Sequence, residues 1–182
     1  SGHDLRDIKT ESLLRYYGVI MQKSEPFEDT ILGNQLFGVS HLDLPVAYQD
    51  LPEAELALLR EKANVALRKA GLDPDRFRFG DLTNIGYKGT KLSGGQQQRL
   101  QIAGAHLKLT MSDERPRLLL ADEPTSDLDS LSETTVMKHL EGLPEGTTML
   151  MIAHRLSTVE NLDRIIFVRP LGDCAPDEPQ VT

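Results

Sequence analysis

RLLLADEPTSDLD, residues 117–129, joins a short apolar run to two adjacent carboxylates, Asp122 and Glu123, and then to a turn rich in proline and hydroxyls. A continuous apolar run bounded by turn signals is the pattern of a strand covered on both faces, as in parallel sheets. Such a strand sets Asp122 and Glu123 at the C-terminal edge of the sheet, where open α/β folds bind their ligands. Carboxylates suit a site there. Asp122 can hold Mg²⁺, directly or through water, and Glu123 can polarise an attacking water. A solvated acidic turn is the competing reading, because Pro124, Thr125 and Ser126 also permit one.

Outward from this stretch the second half of the chain reads as α/β. TTMLMIAH (147–154) and RIIFV (164–168) are further apolar runs with strand character, and residues 130–141, closed by Gly142 and Pro144, read as the crossover helix between the first two strands. Upstream, YYGVIMQ (16–22) reads as a strand ending on the polar Gln22. Residues 53–70 place Leu56, Leu59, Ala63, Ala66, Leu67 and Ala70 at helical spacing, with Gly71 following as a C-terminal cap.

LSGGQQQRL (92–100) puts Ser93, Gly94 and Gly95 immediately before a strong helix former. The first N–H groups of a helix lack intrahelical partners and carry the positive end of its dipole, and glycines let a ligand approach the backbone, so an anion fits there. An ordinary serine N-cap with a glycine turn explains the same residues.

Composition narrows the classes. A length of 182 residues with 39% hydrophobic and 26% charged residues suits one globular domain, with room for a subdomain. The net charge of −8 argues against a general nucleic-acid or anionic-membrane surface. No apolar run is long enough to span a bilayer and no secretory signal is evident. The single cysteine, Cys174, has no internal partner, which fits a reducing compartment, and the five histidines show no metal-ligand spacing with it.

In order, LSGGQQQRL, LLLADEPTSDLD and MLMIAHRLSTV resemble the signature, the Walker B motif with its D-loop, and the H-loop of the ATP-binding cassette (ABC) ATPases. LLRYYGVIMQKSEPFEDTILGN is similar to the Q-loop region of exporter-type cassettes, with Gln22 as its glutamine and Phe27, Thr30, Ile31 and Asn34 in the usual positions after it. TNIGYKGTKLSGGQ is similar to the exporter segment that precedes the signature. The resemblance runs from Gly2 to about Gly172. It implies an α/β, P-loop NTPase-like ATPase core, incomplete here, with a helical signature subdomain. Its parts would be a Q-loop region at 1–34, the helical subdomain at 35–108, the Walker B, D-loop and H-loop core at 109–172, and a tail at 173–182.

The resemblance also implies ATP and Mg²⁺ as cofactors, a second cassette as dimer partner, transmembrane domains of a transporter, and a place at the cytoplasmic face of a membrane; no nucleic acid is expected. Residue by residue, Ser93, Gly94, Gly95 and Gln96 would contact the γ-phosphate of a nucleotide held by the opposing subunit. Asp122 would serve Mg²⁺, and Glu123 would be the general base. Gln22 would sense metal and water while linking the core to the helical subdomain. His154 would hydrogen-bond the γ-phosphate, although a histidine there also reads as a polar strand cap. Asp129 would join the two sites through the D-loop. Residues 83–89 would face the transmembrane partner, or form a plain solvated loop.

Several residues depart from the family pattern. Gly104 stands where an arginine is usual, and a mid-helix glycine costs about 1 kcal/mol relative to alanine. Pro124 follows the glutamate where exporters often have alanine. His106 has no assigned role and reads as a surface or partly packed residue. No Gly-Lys-Ser or Gly-Lys-Thr, the end of a phosphate-cradling P-loop, occurs in the sequence. SGHDLRDI looks like the segment after the P-loop helix, so the start of the domain, with the residue that stacks on adenine, is expected to be missing. A fragment of a longer exporter is the leading expectation; a truncated gene product and a P-loop supplied by another chain are the alternatives. A nucleotide-gated assembly module outside transport and a catalytically silent interaction module are the other functional classes, and the coiled-coil heptads of chromosome-maintenance cassettes are not visible.

Overall fold

A computed structural model describes residues 2, 4–14, 16–23, 25–39, 48–111, 117–126, 128–160 and 162–168; Cys174 and the tail lie outside them. The chain divides into two compact units, Ser1–Ile152 and Ala153–Thr182.

In the first unit, the strands β1 (Tyr17–Ile20), β2 (Arg117–Asp122) and β3 (Thr147–Ile152) form a parallel sheet in that order. Gly18 stands opposite Leu119, and Leu119 opposite Met149. The helices of this unit are α1 (Thr10–Leu14), α2 (Ile31–Phe37), α3 (Glu53–Lys69), α4 (Gly94–Met111) and α5 (Ser130–Glu141). The strand order and the crossover helix α5 agree with the α/β reading.

The two faces of the sheet differ. Side chains alternate along a strand, so Gly18, Ile20, Leu119 and Ala121 share one face, and all are buried. Helix α4 covers it closely. A Cβ on Gly18 would stand 3.4 Å from the Ala105 carbonyl oxygen and 3.4 Å from Leu119 Cδ1, so glycine lets α4 lie flush on β1. The opposite face carries Val19, Leu150 and Ile152, the last two more than half exposed at 56% and 58%. Among the described residues this face is thus incompletely covered, where the apolar runs taken alone read as strands covered on both faces. A purely apolar run cannot distinguish one covered face from two, because helices packed against the sheet decide it.

Helix α4 is enclosed by α2, α3 and β1. Its apolar residues Ile102, Ala103, Leu107 and Leu109 join Ile31, Leu32, Leu67 and Ile20 in the core. Burying each leucine or isoleucine contributes roughly 1.5–3 kcal/mol. This enclosure also buries His106, which is only 7% exposed and whose ring stacks on that of His139 from α5, with centroids 4.2 Å apart. The expectation of a surface or partly packed His106 fails because its helix has almost no solvent face along this stretch. Gly104 has a packing consequence as well. An added Cβ would sit 3.6 Å from Gln35 Cα, so α2 and α4 approach closely there.

Helix α3 ends as anticipated. Gly71 takes φ +77°, its N–H donates to the Arg68 carbonyl, and Leu72 N–H donates to the Leu67 carbonyl, closing the last turn.

The second unit contains one short helix, α6 (Leu156–Val159), among its described residues. Residues 164–167 have no regular structure and only Val168 makes an isolated β-bridge, so the continuous strand expected for RIIFV is corrected; Ile165, Ile166 and Phe167 are exposed at 41%, 52% and 65%. An apolar run becomes a strand only where a neighbouring strand receives its hydrogen bonds. β3 likewise stops at Ile152, short of His154, and β1 is shorter than 16–22.

Candidate functional site at the carboxyl edge of the sheet

The site begins where β2 ends. Asp122 is the last residue of β2 and is exposed. Glu123 follows with φ +44°, in the left-handed region that non-glycine residues occupy at a cost of roughly 1–3 kcal/mol. Four hydrogen bonds hold it there. Its N–H donates to the Ile152 carbonyl at 2.9 Å, carrying the ladder to β3 one residue further. Its carbonyl accepts from Gln98 Nε2 at 3.2 Å and from the Ser126 N–H at 3.1 Å. Its carboxylate Oε2 accepts from Gln22 Nε2 at 2.8 Å.

Gln22 reaches Glu123 because β1 and β2 run parallel in register, with Ile20 opposite Ala121, so both chains leave the sheet at the same edge. Helix α4 fixes the exit of β1. In the amide orientation that satisfies both groups, Gln101 donates to the Met21 carbonyl at 3.0 Å and accepts from the Met21 N–H at 2.7 Å.

The start of α4 is the LSGGQ stretch. Gln96 Oε1 accepts from the Ser93 N–H at 2.8 Å, and Ser93 Oγ accepts from the Gln96 N–H at 3.3 Å, a reciprocal capping box that holds the first turn with Gly94 and Gly95 inside it. One turn on, Gln97 Nε2 donates to the Gly89 carbonyl at 2.9 Å, tying the preceding loop to the helix. Gln97, Gln98 and Gln101 thus grip the 83–89 loop, the Glu123 turn and the β1 exit. Sequence reading did not single them out. The signal was available in a helix so rich in amides on a side that must face a sheet.

The 83–89 loop is more than a plain solvated loop. Asn84 bridges Thr30 antiparallel, Ile85 is fully buried, and the Ile85 N–H donates to the Asp29 carbonyl. Lys88 Nζ pairs with Glu25 at 2.8 Å. Behind it, Asp81, 3% exposed, accepts from Arg60 Nη2 at 2.6 Å and Nε at 2.9 Å, anchoring the loop to α3.

The structure therefore brings Gln22 and Glu123 into contact beside Asp122, and links the helix that begins at Ser93–Gln96 to the same turn. Asp129 immediately precedes α5, where its carbonyl accepts from the Glu133 N–H at 2.8 Å. His154 belongs to the second unit, where it is exposed two residues before α6.

Among the described residues no cluster of three or more histidine, cysteine or acidic side chains converges on a metal position. Asp122 still suits Mg²⁺, which keeps several waters and takes one or two carboxylates plus substrate phosphates. The other polar groups at this edge, the Gln22 amide and the Glu123 carboxylate, can hydrogen-bond a water, which the carboxylate can also deprotonate. No helix among the described residues is long and apolar enough to cross a membrane.

A parallel α/β sheet with a restrained glutamate at its carboxyl edge, served by a glutamine from the neighbouring strand and a glycine-headed helix, defines the class as an α/β domain of the P-loop NTPase type. The family model described as ABC transporter matches residues 1–126, and the chain belongs to that family. It is 39% identical over 165 residues to an ATP-dependent lipid A-core flippase of Francisella novicida, covering 91% of this chain and 25% of that protein. It is 42% identical over 167 residues to the flippase of the same description from Ralstonia nicotianae, again covering 91% and 25%. Among solved structures it is similar to a bacterial Atm1-family ABC exporter with ATP bound, with a TM-score of 0.68 and 30% identity over 88% of this chain and 24% of that one. The chain spans about a quarter of the length of these relatives.

Proposed function

We propose that the chain is the signature- and Walker B-bearing part of the ATPase domain of an exporter, in which ATP-driven pairing of two cassettes drives a transmembrane step. The observation that carries this reading is the Gln22–Glu123 hydrogen bond at the carboxyl edge of the sheet. Glu123 takes the proton of the attacking water, and Gln22 orients its carboxylate and reports the state of the site to the segment after β1. Asp122, with Gln22, would hold Mg²⁺, which when bound neutralises charge on the phosphate oxygens. His154 would steady the terminal phosphate and Asp129 would communicate across the dimer. Ser93, Gly94, Gly95 and Gln96 close over a nucleotide held by the partner, since the capping box presents the free N–H groups of the first turn to an anion. The Pro26–Phe27 segment and the 83–89 loop face the membrane partner, at the cytoplasmic side.

This reading makes the 182 residues alone a poor ATPase, because without a Gly-Lys-Ser/Thr they lack the lysine and most backbone donors that hold a triphosphate. The experiment mixes the chain with a P-loop-bearing cassette whose own signature is inactivated, and measures Mg²⁺-ATPase activity. Activity that appears only in the mixture and is lost with Ser93→Arg supports the reading. Robust hydrolysis by the chain alone, or a mixture indifferent to Ser93→Arg, refutes it.

A further inference from the structure

Met21 lies one residue past β1 and one residue before Gln22, and its backbone is turned where the sheet cannot serve it. The Leu118 N–H donates to the Tyr16 carbonyl. Successive residues of a strand turn their N–H and carbonyl groups to opposite edges, so Tyr16, Gly18 and Ile20 face β2 and Met21 faces away from it. Among the described strands β1 is the edge on that side. Gln101 takes the place of a neighbouring strand. Its amide accepts from the Met21 N–H at 2.7 Å and donates to the Met21 carbonyl at 3.0 Å. Among neutral side chains only the primary amide sets a donor and an acceptor on one carbon, so it reproduces the two-bond pairing of a strand residue.

The place of this clamp matters to the site. Gln98 precedes Gln101 by three residues, so the two amides share a face of α4, and Gln98 Nε2 donates to the Glu123 carbonyl at 3.2 Å. One helix face therefore holds the backbone on both sides of the Gln22–Glu123 hydrogen bond. That bond is exposed, and a lone exposed hydrogen bond between side chains is worth little by itself. Its geometry is only as good as the placement of the two backbones that carry it. The Glu123 backbone is also tied to Ile152 and Ser126. The Met21 backbone is tied, among the described residues, to Gln101.

We propose that Gln101 is a positioning residue for hydrolysis: by fixing the Met21 backbone it aims the Gln22 amide at the Glu123 carboxylate, and so sets the geometry in which the attacking water is activated. The inference rests on the reading of Glu123 as the base, and names the residue of α4 that makes Gln22 serve it.

The test has two arms. In the first, amide hydrogen exchange of the 182-residue chain is followed by NMR. Gln101→Met keeps the length and helix preference of the side chain but makes neither bond. It is expected to speed exchange at Met21 by at least about tenfold, while Leu119 in β2 changes by less than about twofold. In the second arm the chain is expressed behind a P-loop segment and hydrolysis is measured against ATP concentration. Gln101→Met is expected to lower kcat about tenfold and leave KM within about twofold, because a misplaced group costs rate more than binding. With Gln22 already replaced by alanine, the same change is expected to cost less than about twofold, since a residue that acts through Gln22 then has nothing left to position. Gln101→Asn keeps the amide but is one methylene short, and is expected to match Gln101→Met in both arms. Equal acceleration at Met21 and Leu119, unchanged exchange at Met21, an unchanged kcat, or a tenfold loss that persists beside Gln22→Ala would overturn the inference. Hydrolysis that is lost with Glu123→Gln but indifferent to Gln101→Met would remove this inference and leave the proposed function standing.

Discussion

Acidification is expected to unfold the chain through two histidines that the ATPase site does not use. His106 and His139 lie ring against ring between α4 and α5, the Nε2 of His139 is buried with no hydrogen-bond partner among the described residues, and His106 Nδ1 lies 3.4 Å from Thr110 Oγ1. Burial is the main force pushing both imidazoles down from 6.5 to about 4, and the charge of Lys69 adds to it at each ring. For His139 the neighbouring His106 opposes a second charge more than Lys69 does. The Gly142 backbone opposes the depression at His106 only in part. Each ring is neutral in the folded chain but takes up a proton readily once unfolded, so stability is full above about 6.5 and is lost as pH falls towards 4. A depression from 6.5 to about 4 corresponds to roughly 3 kcal/mol for one isolated ring. The two rings share their mutual repulsion and are partly screened by solvent, so the expected loss for the pair is roughly 3–5 kcal/mol, much of a stability of about 5–15 kcal/mol. The assay is urea denaturation followed by circular dichroism at steps between pH 7 and pH 4, comparing the chain with a His106→Leu/His139→Leu variant. The variant is expected to lose at least about 3 kcal/mol less over that interval. Parallel profiles for the two proteins would refute the reasoning.

Asp81→Asn removes the carboxylate that receives both Arg60 donors, and is expected to cost about 1–3 kcal/mol, towards the lower end because the Arg60 side chain is 39% exposed; an unchanged urea midpoint would contradict the anchoring of the 83–89 loop. Glu123→Gly relieves the left-handed strain at φ +44° and is expected to leave stability unchanged or raise it by about 1 kcal/mol, since the hydrogen bond lost to Gln22 is exposed; a clear fall in melting temperature would mean that the glutamate is there for stability.

Much of this was legible in the sequence because local signals and tertiary demands agree. RLLLAD became β2 because β1 and β3 lie on either side to receive its hydrogen bonds, and residues 130–141 became α5 as the crossover between parallel β2 and β3. Gly71 ended α3 because only glycine takes φ +77° without strain. Motif resemblance gave Gln22 and Glu123 separate roles, but their hydrogen bond was not legible, since it arises from the register of two strands far apart in sequence. The burial of His106 was illegible for a related reason, because helix periodicity shows which residues share a face without showing how many neighbours enclose the helix. RIIFV misled because apolar content signals a strand only where a ladder is available to receive it.

The most direct test of the account concerns the role of Glu123. The chain is expressed behind a P-loop segment, and steady-state hydrolysis and ATP-dependent dimerisation are measured for Glu123→Gln beside the parent. Glutamine preserves shape and polarity but cannot take a proton, so hydrolysis is expected to fall by at least about a hundredfold while the ATP-bound dimer still forms and persists. Hydrolysis close to the parent rate, or loss of dimerisation together with hydrolysis, would contradict Glu123 as the base.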